Sequence, residues 1–140
     1  MTDDRPRMPL DLVNPPELGR PRGFAHGLLA PREGRLLFVA GQTATDAAGR
    51  IATDAFAGQF ETALSRVLAV VRAAGGRPEH IARMTVYVTS MKQYRDNRAA
   101  LRHVWQRTVG SHYPAMALLQ VAALAEEGAA VEIDATAVVP

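Results

Sequence analysis

Ser111-His112-Tyr113-Pro114-Ala115-Met116-Ala117-Leu118-Leu119-Gln120-Val121 is the stretch on which the fold turns. Gly110, just before it, stops a dense helical segment. A strand then begins, predicted over Pro114 to Ala123. Met116, Leu118 and Gln120 share one of its faces, and Ala115, Ala117, Leu119 and Val121 the other. His112 and Tyr113 stand at the strand entrance, where polar rings often line a site. A surface loop is the plainer reading of that pair. Met116 by itself reads as core packing.

Downstream, Ala125 to Gly128 reads as a turn into a last strand over Ala130 to Val139. Val131, Ile133, Ala135, Ala137 and Val139 lie on one face of it, and Glu132, Asp134 and Thr136 on the other. A carboxylate in an otherwise apolar hairpin suits a general acid or base. Alternatively, Glu132 faces solvent or pairs with an arginine. Upstream, Ser90 can cap a second helix through Tyr94, Leu101, Val104, Trp105 and Thr108. Before it, Met84, Val86 and Val88 alternate with Thr85, Tyr87 and Thr89, which predicts a strand. The first helix carries Phe56, Phe60, Ala63, Leu64, Val67, Val70, Val71 and Ala74 at three-and-four spacing. Thr53 or Asp54 is placed to cap it, and Gly75-Gly76 followed by Pro78 to stop it. Earlier still, Phe24 to Ala30 and Arg35 to Ala40 read as a hairpin around the turn Pro31 to Gly34, after a short strand over Leu10 to Asn14.

The order strand, hairpin, helix, strand, helix, hairpin implies an α+β fold: one mixed sheet with two helices on one face. The other face needs a cover, and the chain offers no third helix. A second copy of the chain is the economical cover, so a homo-oligomer is expected.

The composition bounds the function. At 140 residues the chain has room for one domain, assigned to residues 10–140 behind a loose tail over 1–9. A net charge of +2 without runs of like charge gives no pull toward nucleic acid or an anionic membrane. No apolar run approaches the roughly 18 residues of a membrane span. The polar N-terminus does not read as a signal peptide, so a cytoplasmic location is expected. There is no cysteine, hence no thiolate chemistry. His80 and His103 pair with nothing at metal-ligand spacing, and no metal is expected. Ser65, Ser90 and Ser111 lack a nucleophile elbow. Gly75-Gly76 is too little for a phosphate loop, and the aromatic residues are too scattered for a nucleic-acid platform.

Several marks, in order and spacing, resemble the RidA/YjgF family of reactive-intermediate deaminases. They are Gly41-Gln42 after an apolar strand, Gln59 in the first helix, and Ala74-Gly75 closing it. Thr85-Val86-Tyr87-Val88, Pro114-Ala115 and Val131-Glu132-Ile133 complete the set. The resemblance runs from about Leu12 to Val139. It implies a chorismate-mutase-like fold with a six-stranded mixed sheet, and a homotrimer with pockets at the subunit interfaces. It implies cofactor-free hydrolysis of enamines or imines, such as 2-aminoacrylate, to ketoacids and ammonia. In such a protein an arginine after the Pro-Ala pair clamps the substrate carboxylate, and a glutamate in the last strand handles water.

The departures shape the expected site. Met116 stands where the family has that arginine, and Leu118 where cysteine is common. Phe24 replaces a tyrosine, His26 a glutamine and Ala40 a serine; the usual asparagine of the second helix falls at Arg98, with Asn97 one place early. Glu132 is retained. The resemblance therefore assigns Glu132, His26 and His112 to catalysis, and Phe24, Gln42, Tyr87, Tyr113, Met116 and Leu118 to substrate binding, in a pocket with a more apolar floor. It marks a divergent subgroup that lacks the arginine. The expected activity is hydrolysis of an enamine, imine or related labile metabolite. The alternatives are a non-catalytic trimer that binds a small molecule, and an RNA-acting translation inhibitor.

Overall fold

The computed structural model describes residues 9–140. The tail expected over residues 1–9 lies, but for Pro9, outside the described residues. Among the described residues there are six strands: β1 (Asp11–Val13), β2 (Gly27–Leu29), β3 (Arg35–Gln42), β4 (Ile81–Val88), β5 (Ala115–Gln120) and β6 (Val131–Val139). The helices are α1 (Phe56–Ala73), α2 (Met91–Asp96) and α3 (Arg98–Thr108).

Helix α1 forms where the apolar spacing places it. Its buried stripe is Phe56, Gln59, Phe60, Ala63, Leu64, Val67, Leu68 and Val71. At its end Gly75 takes φ 83°, and the Gly76 and Gly75 amides donate to the Val71 and Arg72 carbonyls at 2.9 Å each. This is the paired left-handed stop that glycine permits. The expected caps are not used: Ala55 holds the N-cap position and no side chain bonds there. The Thr53 hydroxyl accepts from the Ala55 amide instead, at 3.1 Å. The second helix does start at Ser90, whose Oγ accepts from the Gln93 amide. It breaks into α2 and α3 at Asn97, where ψ opens to 9°.

The strands divide into a four-stranded mixed sheet, ordered β3-β6-β4-β5, and a separate two-stranded ladder of β1 with β2. Strand β6 runs antiparallel to both of its neighbours, and β5 runs parallel to β4. Both expected hairpins are therefore corrected. Strand β2 turns back onto β1, pairing Leu28 with Leu12, and leaves Pro31 to Gly34 as a connection to β3. Strands β5 and β6 are consecutive but not adjacent, because β4 lies between them. A parallel pair needs a crossover, which α2 and α3 supply between β4 and β5. That leaves the inner side of β4 for β6.

Helix α1 packs on β6 and β3, and α3 lies beside α1 on the same face. Strands β4 and β6 alternate accordingly. Met84, Val86, Val88, Val131, Ile133 and Ala137 are at most 1% exposed beneath the helices. Each of these side chains larger than alanine contributes about 1.5–3 kcal/mol by leaving water. The opposite face carries Leu36 and Phe38 at 64% and 76% exposure, Leu119 at 39%, and a row of polar groups.

Candidate functional site

The opening stretch builds one side of a groove. Its register with β4 pairs Met116 with Met84 and Leu118 with Val86, so these side chains turn to the helix side at a sheet edge. Over them α3 presents Leu101 and Trp105, and α2 presents Tyr94. The groove encloses about 450 Å³, with Phe60, Val86, Met116 and Leu118 in its floor. Tyr113 stacks on Trp105, with ring centroids 5.6 Å apart and planes within 2°. The indole is held from behind, since Trp105 Nε1 donates to the His112 carbonyl at 3.0 Å. Arg22, Arg98 and Arg102 complete the lining.

His112 turns away from the groove into the interior. Its ring is 4% exposed, with Nε2 2.8 Å from the Ile81 carbonyl, which requires the Nε2–H tautomer. The ring ties the β5 entrance to β4, and the residue also lines the smaller cavity beside Phe24 and Tyr113. Phe24 and His26 lie on the segment that bridges to β5, where the Ala25 amide donates to the Pro114 carbonyl at 3.0 Å. The two rings meet edge to face at 5.2 Å. His26 Nε2 lies 3.1 Å from the Gly19 carbonyl, and Phe24 lines a smaller cavity of about 230 Å³ that shares Tyr113.

Glu132 and Tyr87 occupy the other face of the sheet. They are cross-strand partners between β6 and β4. Tyr87 donates to Asp134 Oδ2 at 3.0 Å, and that carboxylate bond holds the phenol above its usual pKa. The Glu132 side chain lies across Gly41 on β3. A Cβ at Gly41 would stand 2.8 Å from Glu132 Oε1, so glycine is required for this approach. The bulge between Val39 and Gln42 shapes the seat by shifting the β3 register against β6. It also sends Gln42 to the helix side, where its Oε1 accepts from Arg66 Nε at 3.1 Å.

Within one chain, then, Tyr113, Met116 and Leu118 come together, and Phe24 and His26 stand next to them. Glu132 and Tyr87 do not join them, because strand alternation puts them through the sheet. Sequence reasoning missed Tyr94, Trp105, Arg22 and Arg102 as lining groups. Tyr94, Arg98 and Arg102 recur every four residues, a signal for one helical stripe. It also missed Gln59 as a buried latch. Gln59 Nε2 donates to the Thr53 and Gly128 carbonyls, and its Oε1 accepts from the Ala130 amide at 2.7 Å.

Among the described residues, no helix is long and apolar enough to cross a membrane. The family described as "Endoribonuclease L-PSP" matches residues 24–139. No curated protein matches the chain. Solved structures do. A protein of the conserved Rid family from Yersinia pestis, of unknown function, is 30% identical, with 94% of this chain and 100% of that one covered and a TM-score of 0.81. Escherichia coli TdcF, solved with bound serine, is 26% identical over 87% of this chain and 92% of that one, at 0.66. A Mycobacterium tuberculosis member of the YjgF family is 27% identical over 93% and 99%, at 0.62. The family match spans the groove except for Arg22 and Gly23, along with the Gly41 bulge and Glu132, and with the shared fold it establishes that this chain belongs to the Rid/YjgF family.

Proposed function

We propose that this protein is a homotrimeric Rid-type hydrolase that converts an enamine, imine or related labile metabolite to its carbonyl product and ammonia. Family membership supports a small-molecule-binding or deaminase-type function in coarse terms. The observation that carries the finer reading is the seat of Glu132. A glycine and a bulge on β3 make room for its carboxylate at the sheet edge, where neither is needed for the core. The groove over Met116 lies at the opposite edge, on β5. The reading requires a closed ring whose chains meet edge to edge, each β3 edge against the β5 edge of the next. Two half-sites at opposite edges suit such a ring, and the apolar groups of the open face suit burial in it.

Imine hydrolysis then divides between them. The groove holds the apolar part of the metabolite on Met116 and Leu118, with Phe24, Tyr113 and His26 at its border. Glu132 takes a proton from water as the oxygen bonds to the imine carbon. That proton passes to nitrogen to give the carbinolamine, and Glu132 then takes the hydroxyl proton and delivers it to nitrogen as the carbon–nitrogen bond breaks, so that the carbonyl forms and ammonia leaves. No cofactor enters this scheme. Met116 in place of an anion clamp marks the divergent subgroup, whose pocket disfavours small 2-imino acids.

The test is ammonia release from a panel of enzymatically generated imines. Glu132→Gln is expected to lower the rate at least about 100-fold, the scale of general base catalysis. Equal rates for the two proteins across the panel would remove the hydrolase reading. Saturable binding of an apolar metabolite without turnover would then leave the second reading, a binding trimer, which the apolar floor at Met116 favours.

A further inference from the structure

We infer that the groove over Met116 takes a carboxylate that carries an aromatic ring or a short acyl chain, and that Arg98 and Arg102, with Arg22 across the mouth, hold its charge. The inference rests on the groove being the ligand site. It adds which ligand class enters, and where the anion clamp has gone.

The floor at Met116, Leu118, Phe60 and Val86 offers no side-chain hydrogen-bond donor to an anion. The stacked Trp105–Tyr113 pair gives a flat aromatic wall. Flat apolar groups prefer such a wall, in offset or edge-to-face contact. The charge is at the mouth. Arg98 and Arg102 stand one helical turn apart on α3, and Arg22 reaches the same cavity from the loop before Phe24. The Arg98 guanidinium lies 5.8 Å from the Tyr94 ring centroid, a distance at which the ring face attracts the cation and steadies it.

Like charges at this spacing repel. The acids nearby are committed elsewhere: Asp96 pairs with Lys92 at 2.6 Å, and Glu61 with Arg107 at 2.8 Å. Among the described residues, no ion pair involves Arg22, Arg98 or Arg102. An anion from outside relieves that repulsion, and planar guanidinium groups match a carboxylate in two-pronged geometry. The groove volume, about 450 Å³, admits a ring or a short chain.

Trp105 is the chain's one tryptophan and lines the groove, so its fluorescence reports occupancy directly. The probes are phenylacetate (ring and charge), benzyl alcohol (ring alone), acetate (charge alone) and inorganic phosphate. Phenylacetate is expected to change the Trp105 signal saturably and to bind at least about tenfold tighter than the other three, as a charge-assisted contact to a held ring demands. The double variant Arg98→Gln, Arg102→Gln should weaken phenylacetate by about the same factor and leave benzyl alcohol unchanged. Both positions are exposed on α3, so the variant is expected to fold, which circular dichroism checks. If phenylacetate and benzyl alcohol bind alike, or the double variant binds phenylacetate as the parent does, the arginine clamp is wrong while the groove stands. If phosphate binds as tightly as phenylacetate, the site reads charge without the ring, and the ligand class is wrong. If no probe alters the Trp105 signal, the groove reading fails with it.

Discussion

Two faces of one sheet differ in what they finish. On β6, Val131, Ile133, Ala135 and Ala137 meet the helices and are at most 5% exposed. Between them, Glu132, Asp134 and Thr136 look the other way and are half-buried. The helix side is complete within one chain, with Leu64, Val67 and Met84 fully enclosed. The open side sets exposed Leu36 and Phe38 beside ionisable groups. A strand can serve both because its side chains alternate strictly. The difference separates two roles: one face holds the chain folded, and the other is the face that the proposed trimer would cover.

The largest effect is expected on the closed face. Leu64→Ala should destabilise the chain by about 2–5 kcal/mol in denaturant unfolding, because a fully enclosed leucine leaves a cavity. A smaller loss would mean that the core under α1 relaxes. On the open face, Phe38→Asp should leave each chain folded yet reduce the assembly to single chains, as light scattering would show. An unchanged mass would place the subunit contact elsewhere.

A third prediction concerns pH. Burial, aided by the Arg77 guanidinium, holds the His80 imidazole below its usual pKa, and its Nδ1 accepts the Arg77 amide at 2.8 Å. The native ring therefore binds a proton less readily than the unfolded one. Its contribution to stability is full above the unfolded value of about 6.5 and is lost as pH falls through the native value below it. Over that window the loss is at most about 1.4 kcal/mol per pH unit. His80→Gln should flatten it, and an unchanged acid slope would assign the effect to another group. The smallest effect is expected at Tyr87. Tyr87→Phe removes the bond to Asp134 on the half-exposed face and should cost no more than about 1 kcal/mol. A larger loss would show that the open face is drier in the assembly than in one chain.

Much of this was legible from residue types. The spacing of Phe56 to Val71 dictates α1, and Gly75-Gly76 dictates its end. The alternation of Met84 to Thr89 and of Val131 to Val139 assigns both faces of the central strands. Gly41-Gln42 and Glu132 could each be marked by resemblance. Their contact could not, because it depends on a bulge that shifts β3 against β6. The break at Asn97 was hidden as well, since the apolar spacing runs through it.

Local chemistry by itself determined which segments are helix or strand and which side chains face the core, because period and capping act over a few residues. Tertiary structure alone decided strand order, and strand order decided the site. Strand alternation turned Met116 and Glu132 to opposite faces, and placing β4 between β5 and β6 set them near opposite edges of the sheet. It turned His112 inward as a tie to Ile81, and it gathered Arg22, Arg98 and Arg102 at one mouth. Such juxtapositions join residues tens of positions apart. They follow from how whole elements share one buried face, which no short stretch of sequence encodes.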